Sequence, residues 1–151
     1  MKNLNFITKF YKNKKKIFYL INAENETLGR LCSNTIKLLI GKIFPNYTPN
    51  LSFIQNKIII INSKKIKLNK KKINKKMYFK YTGYIGNKKK YSMKDIYIKN
   101  PNFLIKKSLY RMLPKNKLGE KAKKNIYIYS DSKYKNIKYS NIIKYKINGN
   151  K

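Results

Sequence analysis

Histidine is absent from this 151-residue chain, cysteine occurs once, at Cys32, and aspartate and glutamate together occur five times. Without histidine there is no His-based catalytic dyad or triad. One cysteine leaves no Cys/His metal set and no internal disulfide, so nothing calls for an oxidising compartment. No apolar run approaches the ~20 residues of a membrane-spanning helix. The shortage of acid has the largest consequence. It sets 38 Lys and Arg against 5 Asp and Glu, a formal net charge of +33. On one small domain that charge repels itself and points to a polyanionic partner. Nucleic acid is the commonest such partner, and an anionic membrane surface is the rival. Arginine is scarce too, with only Arg30 and Arg111. Lysine, asparagine, isoleucine and tyrosine are enriched together, as a genome rich in A and T would make them. Codon bias weakens the case for any single lysine, but it does not account as easily for the missing acids.

What is present suffices for one domain with a modest core. Hydrophobic residues make up 42% of the chain, too many for a disordered tail. Residues 1–16 read as a basic N-terminal arm without the apolar core or cleavage site of a secretory signal; a transit peptide is the alternative. Ile17–Asn22 and Lys57–Asn62 are near-continuous apolar runs, the form of strands covered on both faces. Ile126–Tyr129 is a third. Between the first two, Leu28, Leu31, Cys32, Thr35, Ile36 and Leu39 mark one helical stripe. Thr27 is placed to cap that helix and Gly41 to end it in a left-handed conformation. Glu24 and Glu26 lie near its positive end. This is a dull role, preferred here to a catalytic carboxylate pair, and Cys32 on the stripe reads as a small core residue. Ser92 and Asn100-Pro101 mark two further helix starts. Strand, helix, strand, helices, strand predicts a three-layer α/β/α domain with right-handed crossovers and a mainly parallel sheet over 17–131. Residues 132–151 read as a basic C-terminal tail.

The basic residues gather in four places. Arg30, in the first turn of the first helix, offers a forked donor pair to a phosphate. Ser63–Lys76 holds eight lysines and no acid. An isolated lysine run is usually a solvated surface, but acids this scarce favour phosphate contact for Lys70, Lys71, Lys72, Lys75 and Lys76. Thr82, Gly83 and Tyr84 form a Gly-containing turn, followed by Lys88, Lys89 and Lys90. Positive charge beside aromatic faces suits unpaired RNA bases, whereas core packing is the competing reading for Tyr81 and Tyr84. Arg111 and the corner Lys115-Asn116-Lys117 follow a helix whose apolar pattern includes Phe103, Leu104, Leu109, Met112 and Leu113. Pro114 stops that helix. Met112, Leu113 and Leu118 are expected to anchor the corner in the core.

The same segments carry a resemblance. Thr27-Leu-Gly-Arg-Leu31, Tyr47-Thr-Pro49, Thr82-Gly-Tyr-Ile-Gly86 and Met112-Leu-Pro114 with Leu118-Gly119 resemble, in order and spacing, the ribosomal large-subunit protein thirteen family. The resemblance spans roughly 17–131. It departs at 50–56, which carries no role over, and at Tyr81, Asn87 and Arg111, where the family usually has His, Gly and Gly. It implies a four-stranded sheet in the order 3-2-1-4. It further implies a structural, non-enzymatic role: binding and stabilising large-subunit rRNA, early in assembly, beside neighbouring large-subunit proteins. No cofactor, metal, membrane or small-molecule substrate is expected, since no Walker or dinucleotide loop occurs. A short N-terminal arm is usual in the family, so synthesis in the compartment of use is expected. That compartment is the cytoplasm of a bacterium with a reduced A/T-rich genome, or alternatively a plastid or other organelle. Two rival functions are a free RNA-binding regulator of translation and an RNA-modifying enzyme; the missing cofactor loop argues against the second.

Overall fold

A computed structural model of the chain describes residues 17–44, 47, 56–134 and 142–147. The expected arm at 1–16 and the departing segment 50–55 lie outside them. Strands β1 (Phe18–Asn22), β2 (Lys57–Ile61), β5 (Ile126–Ile128) and β6 (Ile142–Tyr145) form one sheet in the order β5-β2-β1-β6. Every pairing in it is parallel. Counted within the sheet this is 3-2-1-4, as the resemblance implies. The fourth strand comes from 132–151, the segment set apart above as a tail. It is an edge strand with Ile143 and Lys144 exposed, and the one lysine interrupts an otherwise apolar run, a charge of the kind edges need.

Side-chain alternation sends each central strand to two cores. Tyr19, Ile21, Ile58 and Ile60 meet the helices, while Phe18, Leu20 and Ile59 face Ile61, Tyr127, Tyr129, Tyr134 and Ile142. The helices of the described core pack on the first of these faces. On the second, the described covering side chains are mostly aromatic, and the chain leaving β5 for β6 begins across that face with Tyr134.

Helix α1 (Leu28–Ile40) buries Leu31, Cys32, Thr35, Ile36, Leu38 and Leu39. This is the expected stripe, with Leu38 added and Leu28 only half-buried. Gly41 ends it at φ 82°, its N–H donating to the Leu38 and Lys37 carbonyls, and Asn56 donates to Leu38 O at 3.0 Å. Thr27 occupies the cap position, but its side chain makes no capping bond. The first turn holds no acid. Glu24 instead accepts from Lys65 at 2.9 Å, and that bond, with the ammonium charge, holds its carboxyl below the usual range. Glu24 is thus paired across a loop, a weaker and more local role than the dipole complement predicted above.

Helix α2 (Lys70–Lys75) leads into a separate hairpin, β3 (Met77–Tyr81) and β4 (Lys88–Ser92), paired antiparallel. Then follow α3 (Met93–Lys99), α4 (Pro101–Met112) and α5 (Lys117–Lys123). Each of these four helices is capped at its start by a side-chain oxygen. Asn69 accepts from Lys71 N at 3.0 Å, Ser92 from Asp95 N at 3.1 Å, Asn100 from Phe103 N at 3.2 Å and Asn116 from Gly119 N at 2.8 Å. Leu104, Ile105 and Leu109 bury α4 in the core. Phe103 and Met112 stay half exposed, so the apolar pattern read for this helix is wider than its buried face. No described helix is long and apolar enough to cross a membrane.

Candidate nucleic-acid interface

The segments that leave the carboxyl ends of β1 and β2 meet beside α4. Backbone pairing ties them, with a parallel bridge between Thr27 and Lys67 and Lys67 N donating to Glu26 O at 2.9 Å. Between them opens a groove of about 680 Å³. One wall is the first two turns of α1 and its cap, with Thr27, Gly29, Arg30 and Ser33. The opposite wall is Lys67, Asn69, Lys72 and Lys76, and α4 closes the end with Ser108 and Met112. Leu28, Leu68 and Met93 add apolar surface. No acidic residue lines it among those described. A Cβ built on Gly29 would meet no atom within 4 Å. Packing within the chain therefore does not explain this glycine, and its backbone stands open to the groove.

The cationic rim continues along α4. Lys76, Lys107 and Arg111 lie 5.3, 4.6 and 5.9 Å from the centroid of the Tyr78 ring. Tyr78 is buried against Met93 and Leu104. Burial, and then the neighbouring Arg111 charge, hold Lys107 below the ordinary lysine value. Glu24, Glu120 and Asp131 pair with Lys65, Lys123 and Lys64, so the ion pairs among the described residues leave this cluster uncompensated. The ring quadrupole offsets part of the crowding; an anion would offset the rest.

The hairpin is a second basic surface. Every residue from Phe79 to Tyr91 is exposed. Gly83 and Gly86 take φ of 98° and 77°, the left-handed turn expected from their positions. Tyr84 is 75% exposed and Ile85 fully so. Tyr81 is 62% exposed, which corrects the core reading. It lies on an outer strand face, and its hydroxyl donates to Gly83 O at 3.2 Å. Lys88 sits 4.5 Å from the Phe79 ring centroid. Lys88, Lys89 and Lys90 belong to β4 and so alternate between the faces of the ribbon.

The corner after α4 is the third. Leu113 is buried, Leu118 half-buried and Met112 half exposed. Two of the three expected anchors hold at least partly, while Met112 turns to the groove instead. Lys115 and Lys117 are exposed. Asn116, expected to touch RNA, spends its side-chain oxygen on the start of α5. A Cβ on Gly119 would fall 1.8 Å from Pro114 O, so the corner closes only because residue 119 has no side chain.

Of the residues predicted to bind, the fold gathers Arg30, Lys72 and Lys76 in one groove with Arg111 beside it. Thr82, Gly83, Tyr84 and Lys88–Lys90 stand apart on the hairpin. Lys70, Lys71 and Lys75 are exposed on α2 but do not line the groove, and Lys115 and Lys117 are at the corner. Sequence reasoning missed Lys67, Ser33, Asn69, Ser108 and Lys107, which meet only through the α1–α4 packing and the hairpin closure.

Among the described residues, a parallel α/β sheet carries a basic groove lined by no acid and a projecting basic, aromatic ribbon, unopposed positive charge that suits a polyanion. Comparison with known proteins narrows this. The family model described as Ribosomal protein L13 matches residues 16–135. The chain is 43% identical over 120 residues to the large ribosomal subunit protein uL13 of Thermosipho africanus, covering 80% of each chain. It is 39% identical over 129 residues to that of Mesomycoplasma hyopneumoniae, covering 84% of this chain and 89% of the relative. For Mycoplasmopsis synoviae the figures are 36% over 135 residues, 89% and 92%. The chain belongs to the ribosomal protein L13 family.

Proposed function

We propose that this chain is a structural constituent of the large ribosomal subunit that binds large-subunit rRNA and stabilises its folded form from an early stage of assembly. Family membership carries the reading, and the absence of acid from the groove among the described residues supports it. The chemistry is phosphate neutralisation by fixed ammonium and guanidinium groups, with recognition of RNA shape rather than of a base code. Arg30, Lys72, Lys76 and Arg111 supply one contact region. Thr82–Tyr84 with Lys88–Lys90 supply another, and Lys115 with Lys117 a third. Lys70, Lys71 and Lys75 extend the field around α2. Neighbouring large-subunit proteins are the further partners, and no reaction is assigned to the chain. The enrichment in Lys, Asn, Ile and Tyr favours a bacterium with an A/T-rich genome as the setting.

Competition filter binding tests this. The protein is expected to prefer a transcript of bacterial large-subunit rRNA to small-subunit rRNA of the same organism at matched salt. Equal affinity for both would reduce the protein to a general polycation and overturn the assignment.

A further inference from the structure

The groove differs in shape from the other two basic surfaces. The hairpin and the corner project, and projecting groups suit the broad, shallow face of a duplex. The groove is concave, and at about 680 Å³ it lies in the ~300–1,000 Å³ range of sites that enclose small ligands. Its lining is also divided by chemistry. Met93, Met112, Leu28 and Leu68 offer apolar surface, and Met93 is buried while Met112 is half exposed. Arg30, Lys67, Lys72 and Lys76 supply charge, and Thr27, Ser33, Asn69 and Ser108 supply hydrogen-bonding groups. Thioether sulfur packs well on aromatic rings. Open α/β sheets place ligands beyond the carboxyl ends of their strands, and the segments that leave β1 and β2 there build this groove.

We infer that the groove receives a single nucleotide of rRNA turned out of its stack, with the base on the methionine and leucine surface and its phosphate between Arg30 and the pair Lys72 and Lys76. This deepens the ribosomal reading and rests on it. Gly29 provides the test. Its Cβ would enter open space, and no left-handed φ is required there, so Gly29→Leu obstructs the groove without disturbing the fold. A large-subunit rRNA transcript is probed chemically, free and bound. Wild-type protein is expected to protect or distort one unpaired nucleotide that Gly29→Leu leaves reactive. Affinity should fall about tenfold in the variant. Protection elsewhere should stay unchanged, and the thermal midpoint of the free protein should not fall, since Leu is the better helix former. Lys72→Ala with Lys76→Ala should lower the salt slope by about two counterions and weaken the same protection.

If Gly29→Leu binds with wild-type affinity and an unchanged protection pattern, the nucleotide site is wrong while the ribosomal reading stands. If wild-type protein fails to bind the transcript at all, both fall. If rRNA protection is unchanged but Gly29→Leu loses binding to an acidic peptide that wild type captures, the occupant is protein and the inference is overturned.

Discussion

At the scale of single residues, the most exacting position is Gly119. A methyl group there would lie 1.8 Å from the Pro114 carbonyl oxygen, and backbone cannot step aside as a flexible side chain can. Gly119→Ala should therefore cost about 1–3 kcal/mol, as overpacking does, read as a lower thermal midpoint. An unchanged midpoint would show that the corner has slack. Cys32 makes the opposite case, a reactive group silenced by position. It is fully buried, and burial pushes its thiol up to about 12, because a thiolate cannot be solvated there. The folded thiol holds its proton more tightly than the unfolded one. Its contribution to stability is full below the unfolded thiol's range and is lost as pH rises toward 12. Native protein at mildly alkaline pH should thus show no reaction with a colourless disulfide reagent, and unfolded protein one equivalent. Rapid reaction of the native form would contradict the burial.

At the scale of elements, the sheet edge and the corner behave differently. β6 pairs with β1 from Phe18↔Ile142 to Ile21↔Tyr145, so ending the chain at residue 131 uncovers a central strand and leaves a sticky edge. Truncated protein should melt earlier and aggregate, whereas a truncation with wild-type stability would make β6 ornamental. The corner lysines carry no packing. Lys115→Glu with Lys117→Glu should leave the melting temperature nearly unchanged while weakening RNA binding, with a salt slope lower by about two. A double variant that binds like wild type would make the corner a solvated turn. These elements also mark what the residues reveal in advance. β1 and β2 were legible because buried parallel strands are apolar on both faces, and β5, an edge strand, because Ile126-Tyr-Ile128 is an unbroken apolar run. The α1 stripe was legible because one face repeats every turn. β6 was not, since Ile142-Ile-Lys-Tyr145 has the same Ile, Lys and Tyr composition as the segment around it. The sheet order came from the family resemblance, as no periodicity encodes which strand lies beside which. In the candidate site, Arg30, Lys72 and Lys76 were visible as basic residues, but their meeting in one groove depends on the Thr27–Lys67 bridge and α4 packing. Exposure of Tyr81 and Met112 went unread because an aromatic on an outer ribbon face and a methionine in a groove look apolar in sequence.

At the scale of the molecule, a net charge of +33 meets a fold in which none of the described acids lines the groove. Three acids pair with nearby lysines, leaving the groove, the hairpin and the corner with unopposed positive charge. Charge so arranged is relieved by a polyanion that fits three surfaces together. Multiple contacts also hold more tightly than any one alone, since release requires losing all of them. The most direct measurement is sedimentation of ribosomes from cells expressing the tagged chain, through gradients at low and then high salt. The account predicts that the protein travels with the large subunit and stays there after the high-salt wash. Recovery at the top of the gradient, or equal partition between the two subunits, would contradict it.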